Sequence, residues 1–217
     1  MSRRATTAEV AAATVLLARH AETDWNREQR WQGLTDLPLN ERGREQAREL
    51  AEKLEAVPLS AVYASDLRRA YETALVVAEP KGLEVILMPE LREVDVGSWT
   101  GLTQDEIKKR FPDAYAQMRA RIGRGWAGGE SLAEMGRRVL DAIRRIAREH
   151  PGEVVLVVTH SGPFRTVRAH ALGLDYATDR KAAPWVERGA LSAVTVADGV
   201  FEEAAADIDV AARQSST

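Results

Sequence analysis

The chain contains the segment Val15-Leu16-Leu17-Ala18-Arg19-His20-Ala21-Glu22-Thr23-Asp24-Trp25-Asn26. Its apolar start predicts a short buried strand that ends at Ala18. Arg19 and His20 follow directly, and a protein buries such side chains only where a partner compensates for their lost hydration. Ligands of open α/β sheets bind beyond the carboxyl ends of the strands. The segment therefore predicts that a cation and an imidazole are presented to a ligand.

Strand and helix patterns alternate along the rest of the chain. Further strands are predicted over residues 61–64, 84–88, 154–158, 191–197 and 200–204. The run 154–158 is the most apolar in the chain and is typical of a central parallel strand. Asp198-Gly199, between the last two strands, predicts a hairpin. The pattern indicates the α/β class, as a three-layer α/β/α sandwich with a mostly parallel central sheet and the hairpin at one edge.

Helices are predicted between these strands, and residues that commonly cap helices precede three of them. Asn40 precedes the first, Ser65 precedes a second that reaches about residue 79, and Ser131 begins a long helix that ends near residue 150. One or two short helices are predicted over 103–123, and another over about 164–172. These helices would form the two outer layers of the sandwich.

The 217 residues, 45% of them hydrophobic, are enough for a single domain with a sizeable core. The pattern divides the chain into a flexible leader at 1–13, a single domain at 14–206 and a C-terminal tail at 207–217. Within the domain, a small cap segment is predicted at about 97–130.

Charge and cysteine content exclude several function classes. The formal net charge of −3 predicts no overall attraction to nucleic acid or to an anionic membrane. No run approaches the roughly 20 apolar residues of a membrane span. The chain has no cysteine, which excludes disulfides, thiolate catalysis and thiolate metal sites. Because Glu9 interrupts the apolar run near the N-terminus, no signal peptide is expected, and a cytoplasmic location is predicted.

Cationic and imidazole side chains follow three of the predicted strands. Arg19 and His20 follow the first strand. Arg69 lies shortly after the second, and His160 follows the most apolar one. The carboxyl ends of parallel strands meet at one edge of a sheet, so these side chains should lie close together. Because the planar guanidinium of arginine can donate two hydrogen bonds to phosphate oxygens, they predict a site for a phosphate-sized anion. Glu93 leaves the third strand on the same side and adds an acid, which completes a set sufficient for phosphoryl transfer without a metal.

Signatures of other phosphate chemistries are absent from the sequence. It contains no Gly-x-x-x-x-Gly-Lys-Ser/Thr loop and no cysteine nucleophile. Its four histidines show no His-x-x-x-His spacing. No metal site and no cofactor are therefore predicted.

The chain resembles the histidine phosphatase superfamily, the phosphoglycerate-mutase-like proteins, over roughly residues 14–200. Six motifs in the family's order carry the resemblance: Arg19-His20-Ala21-Glu22-Thr23 with Trp25-Asn26, Gln32-Gly33 with Asp36-x-Pro38-Leu39, Ser65-Asp66-Leu67-Arg68-Arg69-Ala70 with Thr73-Ala74, Leu91-Arg92-Glu93 through Gly97-x-Trp99-x-Gly101-Leu102, Gly129-Glu130-Ser131, and Val157-Val158-Thr159-His160-Ser161-Gly162. Each motif alone is weak, whereas six in order are specific. Ala21 stands where the family signature has glycine, and it costs about 1 kcal/mol only if its φ is positive.

The resemblance implies the two central chemical roles. His20 would attack phosphorus with one ring nitrogen and form a phosphohistidine, while a backbone carbonyl orients the other nitrogen. Glu93 would protonate the leaving alcohol and then activate water for the second step.

The resemblance also implies which side chains hold the substrate. Arg19, Arg69 and His160 would bind the phosphoryl oxygens and stabilise developing charge. Further phosphate or substrate contacts are predicted for Asn26, Thr23, Gln32 and Ser161.

Hydrolysis is the preferred reaction. Family mutases carry a longer insert between the acid and the second histidine, which shields the phosphohistidine from water, and the short tail at 211–217 has no lysine to cover an acidic ligand. The prediction is therefore a metal-independent phosphomonoesterase acting on a small-molecule phosphomonoester. A cofactor-dependent phosphoglycerate mutase and a non-catalytic phospholigand-binding protein remain as alternatives. The identity of the substrate and the formation of a homodimer stay open.

Overall fold

The computed structural model describes residues 11–120, 128–179 and 186–204, and their strands form one sheet. The strands are β1 (Ala13–Arg19), β2 (Ala61–Ala64), β3 (Val85–Leu87), β4 (Val154–Thr159), β5 (Leu191–Ala197) and β6 (Val200–Glu203). Their order across the sheet is β3-β2-β4-β1-β5-β6. β4 lies between β1 and β2, runs parallel to both, and is buried along its whole length. The predicted central parallel strand is confirmed.

The hairpin at the sheet edge is also confirmed. β5 pairs antiparallel with β1, and β6 pairs antiparallel with β5. Asp198 and Gly199 connect β5 to β6 with φ angles of 47° and 80°. Two successive positive φ angles are typical of a type I′ turn, whose twist suits a two-residue hairpin.

Helices cover both faces of the sheet. They are α1 (Asp24–Arg27), α2 (Glu41–Lys53), α3 (Arg68–Ala78), α4 (Gln104–Arg110), α5 (Pro112–Ala120), α6 (Leu132–Glu149) and α7 (Ser161–Ala171). Ile143 of α6 and Phe164 of α7 share an apolar cluster with Leu17, whereas Leu50 of α2 shares a second cluster with Leu16. Because successive strand residues point to opposite faces of the sheet, the neighbours Leu16 and Leu17 pack against different helical layers. The three-layer architecture is confirmed.

Two predicted helix starts are wrong. α3 begins at Arg68, and Ser65 is not its cap. α7 begins at Ser161, ahead of the predicted start near residue 164. Pro163 is tolerated in that first turn because a helix leaves its first amide N–H groups without intrahelical partners. The earlier start places the N-terminus of α7 directly after His160.

The described part of the predicted cap packs on the loop that follows α1. It begins with a 3-10 turn at Gly97–Trp99 and continues into α4 and α5. Trp99 is fully buried and meets Trp31 edge to face, with ring centroids 5.6 Å apart. An isolated β-bridge joins Arg30 to Thr103. These contacts hold the cap beside the carboxyl ends of the parallel strands.

Several predicted boundaries concern the chain ends. β1 begins at Ala13, the last residue of the predicted leader. Residues 1–10 of that leader, residues 121–127 of the cap and the tail at 207–217 lie outside the described residues. Within the described part of the chain, no helix has the length and apolar character needed to cross a membrane.

Candidate active site

Two imidazole rings meet at the carboxyl edge of the sheet. His20 follows β1 and His160 follows β4, and these strands are neighbours. The backbone N–H of His20 donates to the carbonyl of Thr159 over 2.8 Å. The ring centroids lie 5.0 Å apart, and both rings are buried. The pairing of two strands that are distant in sequence thus brings the rings together.

The main chain orients the His20 ring. Its Nδ1 lies 2.7 Å from the carbonyl oxygen of Ala21, which matches an Nδ1–H donating to that carbonyl. Nε2 then carries the lone pair that a nucleophile needs. Burial, followed by the charges of Arg69 and Arg19, holds the pKa of His20 well below its usual value of 6.5. The ring is therefore neutral and able to attack at neutral pH.

Ala21, which replaces the glycine of the family signature, carries no backbone strain. Among the described non-glycine residues, positive φ angles occur at Gln29 and Asp198 alone. The backbone N–H of Ala21 donates to the hydroxyl of Thr73 over 3.1 Å. The alanine thus fits this position without the cost that a positive φ would bring.

Two buried guanidinium groups lie beside the imidazoles. Arg69 donates to the carbonyls of Thr35 and Gly33 over 2.7 and 2.9 Å, and its Nε has no partner among the described residues. Arg19 donates to the carbonyl of Val186 over 2.7 Å. Burial lowers the pKa of each guanidinium to about 10, so both keep their charge at neutral pH. The pair supplies the cationic field that the sequence predicts for an anion.

His160 is held by a side chain from the loop after β2. Its Nε2 lies 2.8 Å from Oγ of Ser65, while its Nδ1 has no partner within the described ranges. Burial and the charge of Arg69 hold the pKa of His160 well below 6.5. A dianionic ligand nearby would favour the protonated ring, because an opposite charge stabilises the charged form.

Glu93 is held against the N-terminus of α7. Its Oε1 accepts from the backbone N–H groups of Val94 and Gly162 over 3.0 and 3.1 Å. A Cβ atom at position 162 would lie 2.5 Å from this oxygen, so only glycine allows the approach. The helix N-terminus adds a favourable partial positive charge for the carboxylate. Gly162 is a site residue whose role the sequence motif alone did not reveal.

A cavity of about 480 Å³ opens at this edge of the sheet. Arg19, His20, Arg69 and Glu93 line it, whereas His160 is fully buried and lies outside the lining. The volume is in the range of a small-metabolite site. Among the described residues, no group of three or more His, Cys, Asp or Glu side chains is placed to hold a metal ion.

The predicted substrate contacts divide into two groups. Asn26, Gln32 and Ser161 line the cavity, but Thr23 does not. Thr23 is fully buried, and its hydroxyl donates to Oδ1 of Asn26 over 3.1 Å within the capping box of α1. Thr23 therefore orients Asn26, and its contact with a substrate stays a prediction. Since Oδ1 of Asn26 is occupied, its amide NH₂ is the group available to a phosphoryl oxygen.

The sequence analysis missed two arginines of the cavity, Arg30 and Arg165. Arg165 of α7 lines the cavity, and its guanidinium lies 5.0 Å from the ring centroid of Tyr176, a second lining residue. The signal was available, because Arg165 lies four residues after Ser161 and such spacing places two residues on one face of a helix. The sequence pattern marked Ser161 but not its helical neighbour.

Comparisons with known proteins agree with this geometry. The histidine phosphatase superfamily (branch 1) matches residues 15–207. The chain is 38% identical over 162 residues to Phosphoserine phosphatase 1 of Hydrogenobacter thermophilus, covering 74% of this chain and 77% of that protein. It is 43% identical over 161 residues to the Metal-independent phosphoserine phosphatase of Arabidopsis thaliana, covering 70% and 66%. The solved structure of Bacillus stearothermophilus YhfR superposes with a TM-score of 0.80 at 35% identity, covering 89% of this chain and 96% of that one. The chain belongs to the histidine phosphatase superfamily.

Proposed function

We propose that this protein is a metal-independent phosphomonoesterase that hydrolyses small phosphorylated metabolites through a phosphohistidine at His20. Membership of the superfamily supports the phosphatase activity. One observation carries the assignment of the nucleophile: Nδ1 of His20 lies 2.7 Å from the carbonyl oxygen of Ala21, so that Nδ1–H donates to this carbonyl and Nε2 is free to attack. Burial and the charges of Arg69 and Arg19 lower the pKa of the ring, which favours its neutral form. A nucleophile with a free Nε2 beside two fixed cations suits attack on a phosphate dianion.

In the first proposed step, Nε2 of His20 attacks phosphorus and the bond to the leaving oxygen breaks. Glu93 gives its proton to that oxygen, so the alcohol leaves neutral. Arg19 and Arg69 stabilise the charge on the remaining oxygens, with the amide of Asn26 as a further donor. The products of this step are the alcohol and a phosphohistidine.

In the second proposed step, Glu93 acts as a base. It takes a proton from water while the water oxygen attacks phosphorus, and the bond between phosphorus and His20 breaks. Inorganic phosphate leaves, the proton is back on Glu93, and His20 is neutral again.

The character of the cavity wall favours hydrolysis over phosphoryl transfer between positions of a sugar acid. Gln29, Thr103 and Gln104 line the cavity on its cap side. These three side chains can hydrogen-bond water beside the apolar parts of the wall, such as Val94 and Val96, whereas a mutase must keep water away from its phosphoenzyme. Water is therefore the acceptor that this cavity suits.

We further propose that the preferred substrates carry a carboxylate beside the phosphoester. Four arginines line the cavity, namely Arg19, Arg30, Arg69 and Arg165, against the two carboxylates of Glu93 and Asp105. This excess of cationic side chains suits a second anionic group beside the phosphate dianion. The names of the phosphoserine phosphatases among the relatives support the same class.

The experiment combines phosphoenzyme trapping with a matched pair of substrates. The wild-type protein should form acid-labile phosphoprotein from labelled phosphoserine, and His20→Ala should lose both this trapping and turnover. Phosphoserine should exceed phosphoethanolamine, which lacks only the carboxylate, in kcat/KM by about 10- to 100-fold, the worth of a charged hydrogen bond. Retained turnover in His20→Ala would refute the assignment of His20 as the nucleophile.

Two controls sharpen this experiment. His170→Ala removes an imidazole of α7 that does not line the cavity, and it should leave kcat/KM unchanged. Equal kcat/KM for the two substrates would contradict the carboxylate preference alone. Efficient isomerisation of 3-phosphoglycerate in the presence of catalytic 2,3-bisphosphoglycerate, with little free phosphate, would support the mutase instead.

A further inference from the structure

The loop that carries the proposed acid has little secondary structure of its own. This acid loop, residues 88–96, contains a single 3-10 turn at Pro89–Leu91. Its carbonyl groups must therefore find hydrogen-bond donors elsewhere. The hydroxyl of Thr159 donates a hydrogen bond to the carbonyl of Leu91 over 2.6 Å. The position of Glu93 thus depends on contacts that come from outside the loop.

Arg138 of α6 supplies most of these contacts. Its Nη1 donates to the carbonyls of Glu90 and Arg92 over 2.7 and 2.8 Å. Its Nη2 donates to the carbonyl of Glu93 over 3.0 Å. One guanidinium therefore binds three carbonyls, and the last of them belongs to the proposed acid itself.

Glu130 holds this guanidinium in place. Its Oε1 and Oε2 accept from Nε and Nη2 of Arg138, each over 2.7 Å. Both side chains are largely buried, with 23% and 20% of their surface exposed. The backbone N–H of Glu130 also donates to the carbonyl of Asp95 over 2.9 Å. Arg138 and Glu130 thus donate hydrogen bonds to carbonyls of the acid loop on both sides of Glu93.

We propose that Arg138, held by Glu130, is a positioning residue for general acid catalysis by Glu93. This inference rests on the proposed function. It also gives a role to the Gly129-Glu130-Ser131 motif, to which the chemistry assigned none. This partly buried ion pair does not line the cavity, and it acts on the reaction through the geometry of the Glu93 backbone.

The geometry explains why an arginine is required here. Its planar fork presents five N–H donors, and the described contacts use them on three carbonyls and one carboxylate. A lysine keeps the charge but offers only three donors from one nitrogen, so it is unable to bridge the same span. A misplacement of about 1 Å at a catalytic group costs on the order of 100-fold in rate.

The test uses the dependence of rate on the leaving group. In a phosphoenzyme mechanism, kcat/KM reports the phosphorylation step, and a good leaving group such as p-nitrophenolate needs little help from an acid. Arg138→Met should lower kcat/KM for alkyl phosphomonoesters by about 30-fold or more, but for p-nitrophenyl phosphate by less than about threefold. Arg138→Lys should show the same pattern with a smaller loss. Combined with Glu93→Gln, the Arg138→Met effect on alkyl substrates should largely vanish.

A matched control and a clear contrary result complete the test. Arg145→Met, seven residues further along α6, removes a guanidinium that pairs with the side chain of Glu90 and touches no carbonyl of the loop in the described structure, so its kinetics should match the wild type. Equal losses for both substrate types in Arg138→Met and Arg138→Lys would overturn the inference. If Glu93→Gln itself lacks leaving-group dependence, the proposed acid fails, which separates the two outcomes.

Discussion

Replacement of Gly162 by alanine tests the contact on which the placement of Glu93 depends. The new Cβ atom would lie 2.5 Å from Oε1 of Glu93 and 2.9 Å from the sulfur of Met135. Ordinary contact begins at 3.4 Å, so the carboxylate must retreat by about 0.9 Å if the helix stays in place. A shift of this size costs on the order of 100-fold in the catalysed step. We therefore expect kcat/KM for an alkyl phosphomonoester to fall about 100-fold.

The same substitution elsewhere provides the control. Gly136 of α6 is also helical, and a Cβ atom there would meet only the methyl group of Thr166 at 3.6 Å. Gly136→Ala should keep full activity and raise the free energy of unfolding by about 0.5–1 kcal/mol through helix propensity. Circular dichroism and urea denaturation would show that both variants are folded. Activity of Gly162→Ala within threefold of the wild type would refute the reasoning, because the carboxylate would then not need its present position.

Two further predictions concern the imidazoles. Ser65→Ala removes the hydroxyl that lies 2.8 Å from Nε2 of His160. Orthovanadate, a phosphate mimic, should then bind about five- to tenfold more weakly, the worth of about 1 kcal/mol, and an unchanged titration of orthovanadate binding would contradict this prediction. The pKa values of His20 and His160 lie well below 6.5 in the folded protein, so below pH 6.5 the unfolded chain binds protons that the native one does not. As the pH is lowered below 6.5, the free energy of unfolding should decrease by up to about 1.4 kcal/mol per pH unit for each ring. His160→Gln should remove one such contribution, which urea denaturation between about pH 7.5 and 5.5 measures. An unchanged dependence of the free energy of unfolding on pH would contradict this account.

Local patterns in the sequence were sufficient to predict the sheet and its central strand. Apolar runs identify strands wherever burial on both faces demands them, as in β4. The turn Asp198-Gly199 predicts the hairpin because two positive φ angles restrict the residues allowed. The helix start at α7 was misplaced because apolar periodicity begins at Phe164, whereas the first turn is polar and contains Pro163.

The contacts around the acid needed the tertiary structure. Glu93 meets Gly162 only because the loop after β3 and the start of α7 converge, and the role of Gly162 rests on a distance between distant segments. Arg138 binds carbonyl groups, and a carbonyl is the same in every residue, so no side-chain pattern marks its partners. The motif predicts Thr23 as a substrate contact, and only the structure shows that it also caps α1.

By itself, the sequence determined the three-layer architecture and the family. It also determined that Arg19, His20 and His160 lie at the ends of strands. These features depend on local burial patterns and on short motifs. Only the tertiary structure decided which side chains line the cavity and which support those that do. The physical reason is that the position of a catalytic group follows from hydrogen bonds and packing between segments far apart in the chain, and such contacts leave no periodic trace in the sequence.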